Sequence, residues 1–137
     1  MTQKIQSRDQ LRAKHALEKL EKMRLQCNEK GDIKYESSKI KSAVSGLPAM
    51  IHMNGLGHAF AFFLSDPKNF PEREKIVEIV FDWLSEEVKV FSLLQQNNLT
   101  ALNAVTQVDL VTYQIAQQEA QAYLLWLKKF ARALLVD

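Results

Sequence analysis

The chain is poor in the residues that staple, break or flatten a fold, with a single cysteine, Cys27, three prolines and four glycines in 137 residues. One cysteine forms no internal disulfide, which excludes a disulfide-built scaffold and fits a reducing compartment. Cys27 reads as a small packed hydrophobe. No stretch alternates apolar and polar residues, so the period of a half-buried strand is missing. The longest apolar run, residues 56–64, is interrupted by His58 and is less than half of the ~20 residues that cross a bilayer. No membrane partner is expected. Met1-Thr2-Gln3-Lys4 leads into a charged segment without the apolar core of a signal peptide, and a cytoplasmic location is expected.

Net charge is also small, at +2, but it is unevenly spread. Residues 1–50 hold eleven Lys and Arg against six Asp and Glu, whereas residues 51–137 hold seven against ten. A positive field confined to the N-terminal third favours a polyanionic partner. With 47% hydrophobic and 25% charged residues, the composition is that of a globular chain, and residues 1–137 are expected to form a single helical domain.

What is abundant is Ala, Leu, Glu, Lys and Gln, the good helix formers, which makes the fold all-α. Ser7 with Gln10 forms a capping-box pattern, and Ala13, Ala16, Leu17, Leu20, Met23 and Cys27 recur at helical spacing until Gly31-Asp32 breaks them. Ile33, Ile40, Val44, Leu47 and Ile51 share one face of a second helix, which Gly46 and Pro48 should kink or restart. Asn54-Gly55 marks a turn, and residues 56–64 read as a short buried helix stopped by Ser65-Asp66-Pro67. Pro71, followed by Glu72 and Glu74, starts a fourth helix running to about Leu94. Gln95 to Asn98 read as a loop, Thr100 caps a single turn, and the last helix runs from about Val108 to Leu135. In it Tyr113, Ala116, Ala120, Tyr123, Leu127, Phe130 and Leu134 alternate steps of three and four, with Leu124, Leu125 and Trp126 widening the apolar surface. The expected architecture is one compact bundle of five or six helices with this helix at its centre.

Catalytic chemistry has few candidates. His52 and His58 are six residues apart across an expected helix break, and the His-x3-His spacing of a zinc pair is absent. Asn54-Gly55-Leu56-Gly57 lacks the Lys-Ser/Thr of a phosphate loop and reads as a tight turn tolerant of positive φ. Glu86 and Glu87 are adjacent and diverge on a helix, and Cys27 has no activating neighbour in sequence. Neither catalysis, metal nor cofactor is expected.

The basic residues are better organised. At about 100° per residue, Arg8, Arg12, His15, Lys19 and Lys22 fall within about 40° of one line, roughly 21 Å long. The apolar face is centred about 110° away, so the line should border the core with its long side chains reaching outward. Lys34, Ser38, Lys41 and Ser45 align on the second helix, and Gln114, Gln118 and Gln121 continue into Lys128 and Arg132, with Lys129 alongside, on the last. No base-reading motif accompanies these rows, so nucleic acid would be held by backbone and shape. Trp83 and Trp126 sit in apolar helical patterns and read as core.

Two segments carry a family resemblance. Leu47-Pro48-Ala49-Met50-Ile51-His52-Met53-Asn54-Gly55-Leu56-Gly57-His58-Ala59-Phe60-Ala61-Phe62-Phe63-Leu64 and the ending Glu119-Ala120-Gln121-Ala122-Tyr123-Leu124-Leu125-Trp126-Leu127-Lys128-Lys129-Phe130-Ala131 resemble signatures of the small helical subunit of type III-B CRISPR effectors, the Cmr or RAMP-module complexes. Lys129 stands where arginine is frequent. The resemblance implies a non-catalytic subunit of an antiviral assembly, stacking with copies of itself beside other Cas subunits and lining the channel where target RNA pairs with guide RNA. The expected RNA-backbone contacts are Arg8, Arg12, Lys19, Lys22, Lys34, Lys41, Lys128, Lys129 and Arg132, since a subunit that accepts any target needs phosphate contacts rather than base contacts. Two other readings remain open. One is an assembly subunit whose basic rows meet acids such as Glu72, Glu74, Glu78 and Glu86 on a neighbouring copy, and the other is a small helical enzyme.

Overall fold

The computed structural model describes residues 5–28, 34–87 and 98–135. Among them are six helices and no strand: α1 (Arg8–Asn28), α2 (Ser37–Asn54), α3 (Leu56–Phe63), α4 (Pro71–Glu87), α5 (Asn98–Gln107) and α6 (Leu110–Leu134). None is long and apolar enough to cross a membrane. The expected break at Gly31-Asp32, the residue Ile33, the stretch from residue 88 to Leu94 and the loop residues 95–97 lie outside the described residues.

Local sequence explains the starts of α1 and α6. At the start of α1 the Ser7 amide donates to Gln10 Oε1 (2.8 Å) and the Gln10 amide donates to Ser7 Oγ (3.1 Å), the reciprocal capping box expected from their spacing. Asp109 caps α6 by accepting from the Thr112 amide at 2.8 Å. That bond also holds the Asp109 carboxyl below its usual range. The start of α2 is capped from a distance, because the Glu36 amide donates to Glu72 Oε2 on α4 at 2.8 Å.

Two elements differ from the sequence reading. Helix α2 passes through Pro48 without restarting, and the side-chain amide of Gln121 on α6 donates to the Pro48 carbonyl at 3.0 Å. Packing against α3, α4 and α6 outweighs the one backbone bond that proline removes. The expected single turn at Thr100 is instead the ten-residue helix α5, whose Ala101, Ala104 and Val105 are buried. Its small apolar residues give a weak local signal, and burial against α3 and α4 supplies what propensity does not.

Between α2 and α3 the chain turns on Gly55, which has φ +90° and ψ 163°. That is a region open essentially to glycine. The first amides of α3 are taken by α6: the Leu56 amide donates to Gln117 Oε1 (3.0 Å) and the Gly57 amide to Tyr113 Oη (2.9 Å). The Asn54-Gly55-Leu56-Gly57 segment is therefore the tight turn anticipated, with its donors satisfied inside the protein.

Helix α6 packs against α1, α2 and α4 and buries Ala116, Glu119, Ala120, Tyr123, Leu124, Leu127 and Ala131. Small residues at 116, 120 and 131 let neighbouring backbones approach, and Tyr123, Leu124 and Leu127 fill the space between them. Each large side chain so buried contributes about 1.5–3 kcal/mol. The central position expected for the last helix is the observed one.

Candidate functional site

Helix α1 is turned further toward its basic row than the apolar pattern predicts. Ala16, Leu20 and Met23 are fully buried, but Leu17 is 39% exposed and His15 only 8%. The reason lies on α6, where Glu119 is buried on the apolar face and an isolated carboxylate there would be costly. Arg12 meets it with both arms of its guanidinium, Nε to Oε2 and Nη2 to Oε1 at 2.9 Å, while Trp83 Nε1 on α4 donates to Oε2 at 2.9 Å. Burial alone would raise the Glu119 pKa, but the hydrogen bonds from Arg12 and Trp83 outweigh it and hold the carboxyl below its ordinary value. Arg12 also binds Asp9 at 3.1 Å.

One turn on, His15 is clamped between Tyr123 Oη at Nδ1 and Asp82 Oδ2 at Nε2, the latter at 2.7 Å. Trp83 and Tyr123 stack with centroids 5.6 Å apart, and the His15 ring abuts both. Burial, with Asp82 and Glu86 nearby, pushes the Tyr123 hydroxyl pKa upward. A polar network thus ties α1, α4 and α6 together.

This geometry divides the predicted contact residues. Arg12 does not reach outward as its place in the row suggested, because its guanidinium is committed to Glu119. His15 likewise points inward. Lys19 is intermediate, with its ammonium 3.5 Å from Asp82. Arg8 keeps 65% exposure of its side chain while lying 3.3 Å from Glu87 and 3.9 Å from Glu119. Lys22 and Lys34 are exposed, Lys41 and Lys128 are half-buried, and Lys129 and Arg132 are exposed. The Lys34 amide donates to the carbonyl of Gln26, in the last turn of α1, at 3.2 Å, and its ammonium lies 5.5 Å from the Tyr35 ring.

The opposite end of α1 meets the cations of α6. Trp126 Nε1 donates to Asp9 Oδ1 at 2.9 Å, and Lys129 lies 5.5 Å from the Trp126 ring. The Trp126 bond, with help from Arg12 and Lys129, lowers the Asp9 pKa. Lys129 is therefore brought beside the first turn of α1, where Arg8 stands. Trp126 is a half-buried bridge at the core edge, whereas Trp83 is buried as its pattern predicts.

Other candidates resolve differently. Glu72, expected on an acidic outer face, is 2% exposed because it is drawn in to cap α2. Glu78 and Glu86 are exposed and Glu74 is half-buried. Cys27 is half-buried, and burial pushes its thiol pKa up, which opposes thiolate formation. His52 and His58 are exposed. Sequence reasoning missed Glu119, Asp82 and Tyr123 as polar partners. For Glu119 a signal was present, since it falls three residues after Ala116 and four before Tyr123 on the apolar stripe. A lone acid there marks a buried ion pair.

Comparison with known proteins follows the same lines. A family model described as "CRISPR-associated protein (Cas_Cmr5)" matches residues 8–134. The fold is similar to the crystal structure of a CRISPR-associated Cmr5 family protein from Thermus thermophilus, with a TM-score of 0.70 and 21% identity over 96% of this chain and 100% of that one. No curated protein matches. With the family model spanning α1 to α6, the chain belongs to the Cmr5 family of CRISPR-associated proteins.

Proposed function

We propose that this chain is a non-catalytic small subunit of a type III-B CRISPR effector complex, stacking with copies of itself and holding target RNA, paired with guide, by sequence-independent phosphate contacts. Family membership supports the place in a Cmr complex beside other Cas subunits. The observation that carries the RNA reading is the exposed cationic edge of α1: Arg8 and Lys129 at one end, Lys22 and Lys34 toward the other, with Arg132 extending it along α6. From Arg8 to Lys22 the edge is about 21 Å long at about 1.5 Å per residue, enough to follow several phosphates. Lys19, Lys41 and Lys128, all partly shielded, are secondary contacts. Arg12 acts by holding α1 in place.

The test is a triple reversal, R8E, K22E and K129E, in the assembled complex. RNA retention should fall at least about tenfold, and the slope of log affinity against log salt should shrink by about 3, since each phosphate contact to a duplex accounts for about 0.9. Assembly should persist. Unchanged RNA retention would overturn the reading.

A second reading, assembly without RNA contact, is favoured by a different observation. Val111, Ile115 and Leu125 line the outer face of α6 at 63%, 52% and 59% exposure, and their spacing places them along one side. On that reading the triple reversal breaks assembly by removing charges that face acids such as Glu78 and Glu86, and RNA loss follows only from loss of the subunit.

A further inference from the structure

We propose that His15, Asp82 and Glu86 form a binding site for a divalent transition-metal ion of the zinc type, which fastens α1 to α4. The site does not depend on the RNA reading. One ligand atom from each residue can be chosen so that all three lie within 4.8 Å of one another. The set mixes one imidazole with two carboxylates, which suits a borderline ion such as Zn2+ better than Ca2+ or Mg2+. Asp82 and Glu86 are four residues apart on α4 and so project from one face, toward His15 on α1.

Three features of the surroundings fit an ion. First, the His15 ring is held by its contacts with Trp83 and Tyr123, so its Nε2 is already directed at the carboxylates. Second, Tyr123 Oη sits on Nδ1, the outer partner that a metal-bound histidine characteristically has. Third, an open cleft of about 250 Å³, lined in part by His15, Trp83 and Glu86, gives water a path to the fourth position.

The adjustment needed is small. Ligand atoms of a tetrahedral zinc lie about 3.4 Å apart, given bonds of about 2.0–2.1 Å. His15 Nε2 and Asp82 Oδ2, now 2.7 Å apart, must open by under an ångström, and the exposed Glu86 side chain, within 4.8 Å of the other two, must close by at most about 1.4 Å. On binding, the neutral imidazole takes the tautomer with its one proton on Nδ1, donated to the Tyr123 oxygen, and Nε2 gives its lone pair to the ion with no net proton released. The Lys19 ammonium, 3.5 Å from Asp82 and one-third exposed, swings out to solvent. Two carboxylates then balance the ion's double charge.

The experiment is calorimetric titration of the full chain with Zn2+, paired with thermal melts and with the visible absorption of Co2+ as a probe of ligand geometry. One ion per chain should bind, Tm should rise by about 9 °C at roughly hundredfold excess over Kd, and Co2+ should show the intense visible bands of a low-coordinate site. E86Q, on an exposed side chain, should keep its circular dichroism and weaken zinc at least about tenfold. The H52A/H58A double variant, which removes the exposed histidines, should bind like the parent chain. Parent-like affinity in E86Q, loss of binding in H52A/H58A, or no heat and no Tm shift up to about 1 mM zinc would each overturn the site.

Discussion

Arg8 and Arg12 stand one helical turn apart with the same charge, yet burial assigns them opposite roles. Removing Arg12 strands a carboxylate that is 6% exposed, so Arg12→Ala should cost about 3–5 kcal/mol of unfolding free energy, read by urea denaturation. Arg8→Ala, with 65% of its side chain in water, should cost less than about 1 kcal/mol. Glu119 gives the pH dependence. Its folded pKa lies below the ordinary 4.5, so its ion pair stabilises the protein fully above that value and is lost as pH falls through the folded pKa. The urea midpoint should be steady from neutral pH to about 5 and decline below about 4.5, and Glu119→Gln should remove part of that decline. The capping residues Ser7 and Gln10 were legible in sequence because their partners are three residues apart. The inward direction of Arg12 was not legible in sequence because its partner is 107 residues away.

At the scale of elements, two junctions are open to test. Gly55 combines φ +90° with a site where an added Cβ would sit 3.0 Å from Tyr113 Oη. Gly55→Ala should therefore destabilise by about 1–3 kcal/mol through backbone strain alone, measured by chemical denaturation. Asp109→Ala removes the cap of α6 and should cost about 1 kcal/mol, with faster amide exchange confined to the first turn of that helix. Helical periodicity found α1, α2, α3, α4 and α6, whose faces are strongly apolar. It underestimated α5, and the restart it allowed at Pro48 does not occur, because both outcomes depend on packing from other parts of the chain.

Across the whole molecule, α6 is the shared surface on which α1, α2 and α4 pack, and the network of Arg12, His15, Asp82, Trp83, Glu119 and Tyr123 crosses three of these helices. Such a centre leaves little scope for one helix to melt alone. Far-UV circular dichroism and tryptophan fluorescence should therefore report one coincident unfolding transition, and two separated midpoints would refute a single domain.

Sequence alone determined the helical class, the central place of the last helix and the family, because these depend on periodicity and on short contiguous signatures. Tertiary structure alone decided which cations face water. A helix wheel defines directions only relative to its own axis, and the rotation of α1 about that axis is set by a buried acid on α6 that demands Arg12. The same rotation drew His15 inward to meet Asp82 and Tyr123, residues that lie 67 and 108 positions further along the chain.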